Sequence, residues 1–319
     1  MNILTKQRVR RTLIRMKIGQ FSLRRWWANA TLLAVTAVWG ATFTLTRGAL
    51  THIPVFPYLS LRFVIAAAAL VLIALTTGAR YNAFHRRTFV SGAVLGSVLF
   101  GGYAFQTLAL QDVAPSTAAF LTGLSVVLVP VLGVPLLKTV IPVRVFAGSL
   151  VALTGLGLLC GPDLWQLAAG DIDLLSCAVF IALQVLLVEK YGRSENALAL
   201  ATVEVTVMAV LSTGISVLLN PVAAYTAMWH RPSVFWAIII CALPATSFAY
   251  WAQNIFQQYT SSAETAIIFA AEPVFAAFIA WSFGGDTLTP AELAGAVLIF
   301  ISMLLAEPSL RLWRRRKPA

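Results

Sequence analysis

Ten long apolar stretches divide the chain almost from end to end: 28–46, 57–77, 89–110, 116–137, 144–160, 174–188, 198–219, 234–256, 265–283 and 290–306. A membrane-crossing helix needs about 20 mainly apolar residues, because backbone polar groups in lipid must be satisfied within the segment. Runs of this length without period-2 alternation exclude a membrane β-barrel. The connections are short and rich in turn formers, among them His52-Ile53-Pro54, Gly161-Pro162-Asp163, Asn220-Pro221 and Gly284-Gly285-Asp286. Only 11% of the 319 residues are charged and 59% are apolar, whereas a water-soluble domain carries about 25% charged residues. Disorder requires low hydrophobicity and is excluded too. The expected fold is an all-α integral membrane protein with ten transmembrane helices.

The net charge of +11 would suggest nucleic acid on a soluble protein, but the positions of the bases argue otherwise. With ten spans, 20 of the 23 Lys and Arg fall in the two tails and on the side of the membrane they share. Arg47 and Arg231 fall on the other side, and Arg62 lies within a stretch. This is the positive-inside pattern, and it predicts both termini in the cytoplasm. The basic tails are expected to meet anionic lipid headgroups, and no nucleic-acid partner is expected. Trp26, Trp27, Trp165, Trp229 and Trp313 flank the stretches at headgroup level, as interfacial belts do.

The acidic linker 161–173 separates two halves of equal length, 28–160 and 174–306, each with five stretches. Five is odd, so the second half enters the membrane inverted relative to the first, as in many transporters. The expected organisation is a basic cytoplasmic tail 1–27, a five-helix repeat 28–160, a periplasmic linker 161–173, a second repeat 174–306 and a basic cytoplasmic tail 307–319. A shift of 147 residues brings Tyr103-x-x-Gln106 onto Tyr250-x-x-Gln253, and a shift of 142 places Arg62 opposite Glu204.

Several segments resemble one family. Ala37-Val38-Trp39-Gly40-Ala41-Thr42-Phe43, Tyr58-Leu59-Ser60-Leu61-Arg62-Phe63 and Ala271-Glu272-Pro273-Val274-Phe275-Ala276-Ala277 stand in order and spacing. They are similar to the W-G-x-x-F, L-R-F and E-P-V-x-A segments of the drug/metabolite transporter superfamily, in its EamA-type ten-helix branch. The chain departs from the pattern at Asp286, where that branch has Glu, and at Lys138, where the first half lacks the acid. The resemblance implies a carrier of small polar metabolites such as amino acids. It also implies that the first four helices of each half surround a cavity.

Charges within a bilayer cost at least about 2.5–3.5 kcal/mol at its centre, so Arg62, Glu204 and Glu272 each need a reason. Arg62 either binds backbone and interface groups or anchors an anionic group. Glu204 and Glu272 are the candidates for proton coupling. Glu272 has a second reading, as a group that closes the gap opened by Pro273, whose missing N–H frees a carbonyl. The height difference between Arg62 and Glu204 argues against a direct salt bridge. Trp39, Tyr103, Gln106, Tyr250, Trp251, Gln253 and Asn254 are the cavity candidates, each with a packing or cross-helix hydrogen-bonding alternative. Gly92 and Gly96 form a GxxxG on the third stretch and predict close helix packing.

His52, His85 and His230 fall in loops, and Cys160, Cys177 and Cys241 show no metal-ligand spacing. No catalytic or nucleotide-binding motif is present, so neither enzyme chemistry, a metal nor a cofactor is expected. The expected function is secondary active export of small polar metabolites by alternating access, at the bacterial inner membrane. The competing reading is a multi-pass membrane protein of channel-like or enzymatic function.

Overall fold

The structure, a computed structural model, describes residues 3–83, 85–138, 140–160, 169–284 and 289–306. Among them no strand occurs, and the ten expected stretches are ten helical segments. These are α1 (Ile3–Leu50), α2 (Val55–Thr77), α3 (Arg86–Ala109), α4 (Pro115–Leu137) and α5 (Val143–Cys160). The second half supplies α6 (Ala169–Tyr191), α7 (Ala197–Leu219), α8 (232–256), α9 (262–284) and α10 (Pro290–Ala306). Eight segments are long and apolar enough to cross a membrane, while α5 and α10 are shorter. The protein is an all-α membrane protein. The linker core 161–168, with Trp165, and the C-terminal tail 307–319, with Trp313, lie outside the described residues, as does Asp286.

The boundaries depart from the sequence reading where local chemistry extends or breaks a helix. Helix α1 begins at Ile3, because the basic tail carries no proline and many good helix formers. Helix α6 begins at Ala169 rather than 174, with Asp171 in its first turn, where a carboxylate favours the positive end of the helix dipole. Helix α4 breaks at Leu124, between Pro115–Gly123 and Ser125–Leu137. Helix α9 breaks between Ser262–Phe269 and Glu272–Gly284. Pro273 thus falls in a first helical turn, where its missing N–H costs nothing. Helix α8 contains a wide turn, Leu243–Phe248, with Pro244 inside it.

The halves repeat element by element. A shift of 142 residues carries Val55–Thr77 onto Ala197–Leu219. A shift of 147 carries the start of α4, Pro115, onto Ser262 and its break at Leu124 onto Ala271. Leu124 has no proline beside it, so the break, not the proline, is what the halves share.

Glycines set the closest approaches. A Cβ on Gly155 would lie 2.7 Å from the Gly295 carbonyl oxygen, and one on Gly295 would lie 2.5 Å from that of Gly155. Gly148 meets Ser302 in the same way, at 3.1 Å. Advancing from Gly148 to Gly155 along α5 therefore means retreating from Ser302 to Gly295 along α10. These two equivalent helices run antiparallel, as the inversion expected from the odd helix count requires. On α3, Cβ atoms at Gly92 and Gly96 would collide with Val203 and the Glu204 backbone of α7, as the GxxxG predicted. Lipid tails are as apolar as the helices, so such backbone contact carries much of the association energy.

Packing obeys the same exchange of halves. Helix α3 lies on α6 as α8 lies on α1, and α4 lies on α6 as α9 lies on α1. The ends of the bundle differ, however. At the end carrying Arg86, Arg87, Lys190 and Arg193, hereafter the basic end, ion pairs join the halves. Arg25 of α1 meets Glu264 of α9 at 2.6 Å, with Arg144 of α5 at 3.7 Å from the same carboxyl. Arg87 of α3 meets Glu195 of the α6–α7 turn at 3.0 Å. At the opposite end Arg47 donates to the Val113 carbonyl within one half.

Candidate functional site

Helices α1, α3 and α4 of the first half and α6, α8 and α9 of the second line a chamber, to which α2 and α7, expected from the resemblance to surround it as well, contribute no lining residue. Most of its wall is built from equivalent positions of the two halves: Trp39 and Ile181, Thr42 and Gln184, Tyr103 and Tyr250, Thr122 and Phe269, Ser125 and Glu272. The first two pairs follow the 142 shift and the rest the 147 shift, so the chamber sits on the pseudo-two-fold axis. The breaks in α4 and α9 deliver Ser125 and Glu272 to it. Gln106 completes the polar lining. The centres of water-sized molecules can occupy about 40 Å³ of this space, against about 10–15 Å³ for one water. The space holds a few waters.

Aromatic rings form one side. Trp39 lies 5.6 Å from Tyr250 and 5.0 Å from Phe269 between ring centroids. Its indole N–H donates to the Ala245 carbonyl at 2.8 Å. Ala245 lies in the wide turn, where Thr246 and Ser247 bond back five residues to the carbonyls of Cys241 and Ala242. Pro244 has no N–H to give, so the turn widens, and side chains take up its carbonyls. Gly40, next to Trp39, fixes the depth of α1: a Cβ there would lie 2.8 Å from the Glu272 carbonyl oxygen and the Ala276 nitrogen.

Arg62 stands behind this wall, only 2% exposed. Its Nε donates to Thr246 Oγ1 at 3.0 Å and a terminal nitrogen to the Tyr103 hydroxyl at 3.2 Å. The guanidinium also lies over the Tyr103 ring, 4.6 Å from its centroid, an attraction to the negative ring face. Among the described residues no carboxylate comes within ion-pair distance of it. Tyr250 donates in turn to Tyr103, hydroxyl to hydroxyl, at 2.8 Å.

Glu204 occupies a separate, fully buried polar cluster. Gln184 and Asn254 donate to its two oxygens at 3.2 and 3.0 Å. Gln184 and Gln253 bond reciprocally, and Gln253 donates to Gln257 at 2.9 Å. Glu272 differs: its carboxyl borders the chamber, is half-buried, and makes no hydrogen bond with a described residue.

Of the positions singled out by sequence, Trp39, Tyr103, Gln106, Tyr250 and Glu272 border the chamber. Gln253 and Asn254 lie behind it with Glu204, joined to it through Gln184. Trp251 is turned away and packs on Phe248 at 5.9 Å between centroids. The sequence reading missed Gln184 and Gln257. The 142 shift, which carries Thr42 onto Gln184, contains the signal for the first. Cys177 and Cys241 are free.

A ten-helix bundle with inverted halves and a chamber on their shared axis defines a membrane transporter. The EamA-like transporter family matches the chain twice, over residues 26–161 and 168–306, and the protein belongs to that family. An uncharacterized transporter of Archaeoglobus fulgidus is 30% identical over 294 residues, covering 92% of this chain and 89% of that one. The uncharacterized transporter YyaM of Bacillus subtilis is 23% identical over 291 residues, covering 88% and 93%. A solved crystal structure shares the fold with a TM-score of 0.74 at 20% identity, covering 89% of this chain and 98% of that one.

Proposed function

We propose that the protein is a secondary active exporter of small polar metabolites such as amino acids, working by alternating access. The observation that carries this reading is the paired chamber wall. A site built from equivalent residues of inverted halves presents nearly the same surface to either side of the membrane, so rocking one half against the other exchanges its exposure. Trp39, Tyr103, Gln106 and Tyr250 contact the guest, whose apolar part lies on the rings and whose polar groups meet the amide, hydroxyls and Glu272. Arg62 holds Tyr103 and Thr246 in place. The halves are the five-helix repeats 28–160 and 174–306. The basic end and both tails face the cytoplasm and anionic lipid of a bacterial inner membrane, and no cofactor is required.

The test is counterflow in proteoliposomes. Vesicles loaded with one unlabelled amino acid at a time are diluted into the labelled form of the same compound. Saturable, transient accumulation with at least one of them is expected, reduced at least tenfold by Trp39→Ala. Non-saturating flux would mean a channel, and chemical change of the solute would mean an enzyme. Either result would overturn the carrier reading.

A further inference from the structure

The Glu204 cluster is built for a change of charge. The carboxyl is 0% exposed, and an unpaired ion in a bilayer interior is costly. No cation lies within ion-pair distance among the described residues. Helix α3 faces Glu204 with Gly92 and Gly96, whose missing side chains let the α7 backbone approach. On α2, Arg62 turns to Thr246 and Tyr103, and Tyr58 turns to Thr46. On α8, Tyr250 turns to Tyr103. On α6 the group that reaches Glu204 is Gln184; Glu189, further along, bonds to the Ser262 N–H. Only neutral amides touch the carboxyl.

One of those amides has a spare end. Asn254 donates its Nδ2 to Glu204, while its buried Oδ1 has no partner. Rotating the amide by half a turn exchanges donor and acceptor. In the first orientation Asn254 donates to the carboxylate. In the second it accepts from the O–H of the carboxylic acid. Each orientation leaves one Asn254 group unpaired, so the count of hydrogen bonds favours neither form of Glu204. A residue locked in one charge state for structural reasons has no use for such evenness.

We propose that Glu204 is a proton-binding site of the transport cycle. The carboxylate takes up one proton at Oε2 and releases it again, and Asn254 rotates to partner each form. Gln184 links the site to the chamber, since its side chain borders that space and donates to Glu204 Oε1. This assignment rests on the transporter reading for its role, but the proton site is measured without a substrate.

The experiment is infrared difference spectroscopy of the full-length protein in lipid nanodiscs, titrated from mildly alkaline to mildly acidic buffer. Acidification is expected to produce the carboxylic C=O band of a buried acid, present in Glu272→Gln and absent in Glu204→Gln. Asn254→Leu, which neither donates nor accepts, should displace the midpoint by about one pH unit or more. A band that persists in Glu204→Gln, a midpoint unmoved in Asn254→Leu, or the absence of any titrating buried acid overturns the proposal. Should Glu204→Gln not fold, the Asn254→Leu midpoint decides. A titrating band in a protein without counterflow keeps the proton site and removes the transporter reading; counterflow without the band does the reverse.

Discussion

Tyr103 and Tyr250, which the 147 shift carries onto each other, touch hydroxyl to hydroxyl at 2.8 Å. A residue and its own counterpart can meet only on the axis that relates the halves. The pair therefore marks that axis, and Arg62 fastens it from one side only, through Tyr103.

That asymmetry makes the two hydroxyls unequal. Removing the Tyr250 hydroxyl deletes a donor, a loss of about 0.5–1.5 kcal/mol. Removing the Tyr103 hydroxyl also leaves a buried guanidinium N–H without its acceptor, at about 1–3 kcal/mol. Thermal unfolding in detergent should show Tyr103→Phe with the lower Tm. The double variant should fall short of the sum, because the two share one bond.

Gly40 and Gly48 lie on the same helix and should respond oppositely. Gly40→Val forces α1 off the α9 backbone and should cost about 1–3 kcal/mol, read as loss of monodisperse protein on size exclusion. Gly48 has nothing within 4 Å of an added Cβ, and Gly48→Ala should keep the yield and raise Tm slightly, since Ala favours a helix over Gly by about 0.5–1 kcal/mol.

Glu264 and Glu195 each join the two halves at the basic end. Glu264→Gln and Glu195→Gln together should favour opening at that end. Hydrogen–deuterium exchange is expected to rise in 86–92 and 262–268 and to stay level in 108–118, at the far end. Equal exchange at both ends would show that the ion pairs hold nothing shut.

Glu272→Gln should fold with unchanged Tm, since its carboxyl makes no bond to a described residue and the gap at Pro273 is closed by the helix break itself. Counterflow should nevertheless weaken, as the chamber wall loses its acidic group. A destabilised protein would return Glu272 to a structural role.

Orientation is tested by single cysteines in a cysteine-free background. An impermeant maleimide applied to intact cells should label position 223 and spare positions 82 and 194. Labelling at 194 would invert the basic end.

The helices were legible because lipid leaves little room for compromise: a span must be mainly apolar over about 20 residues, and the ten stretches show it. The pairing of Tyr103 with Tyr250 was legible as a repeat, since both follow one shift. Facing was harder to read. Trp251 adjoins Tyr250 in sequence, but successive residues on a helix point about 100° apart, and one ring meets the chamber while the other meets Phe248. The wide turn at Pro244 was announced by a proline that the apolar run concealed. Contacts such as Arg25 with Glu264 join residues in opposite halves, and no local pattern records them.

The contact of Gly155 with Gly295, mirrored by that of Gly148 with Ser302, also bears on ancestry. The face that α5 offers α10 is the face that α10 offers α5, turned over. Each half therefore carries the surface that an inverted copy of itself would bind, which is the requirement for an isologous dimer. A chain half this length, inserted in both orientations, would already possess this seam, and fusion of two such genes would have needed to invent no new interface there.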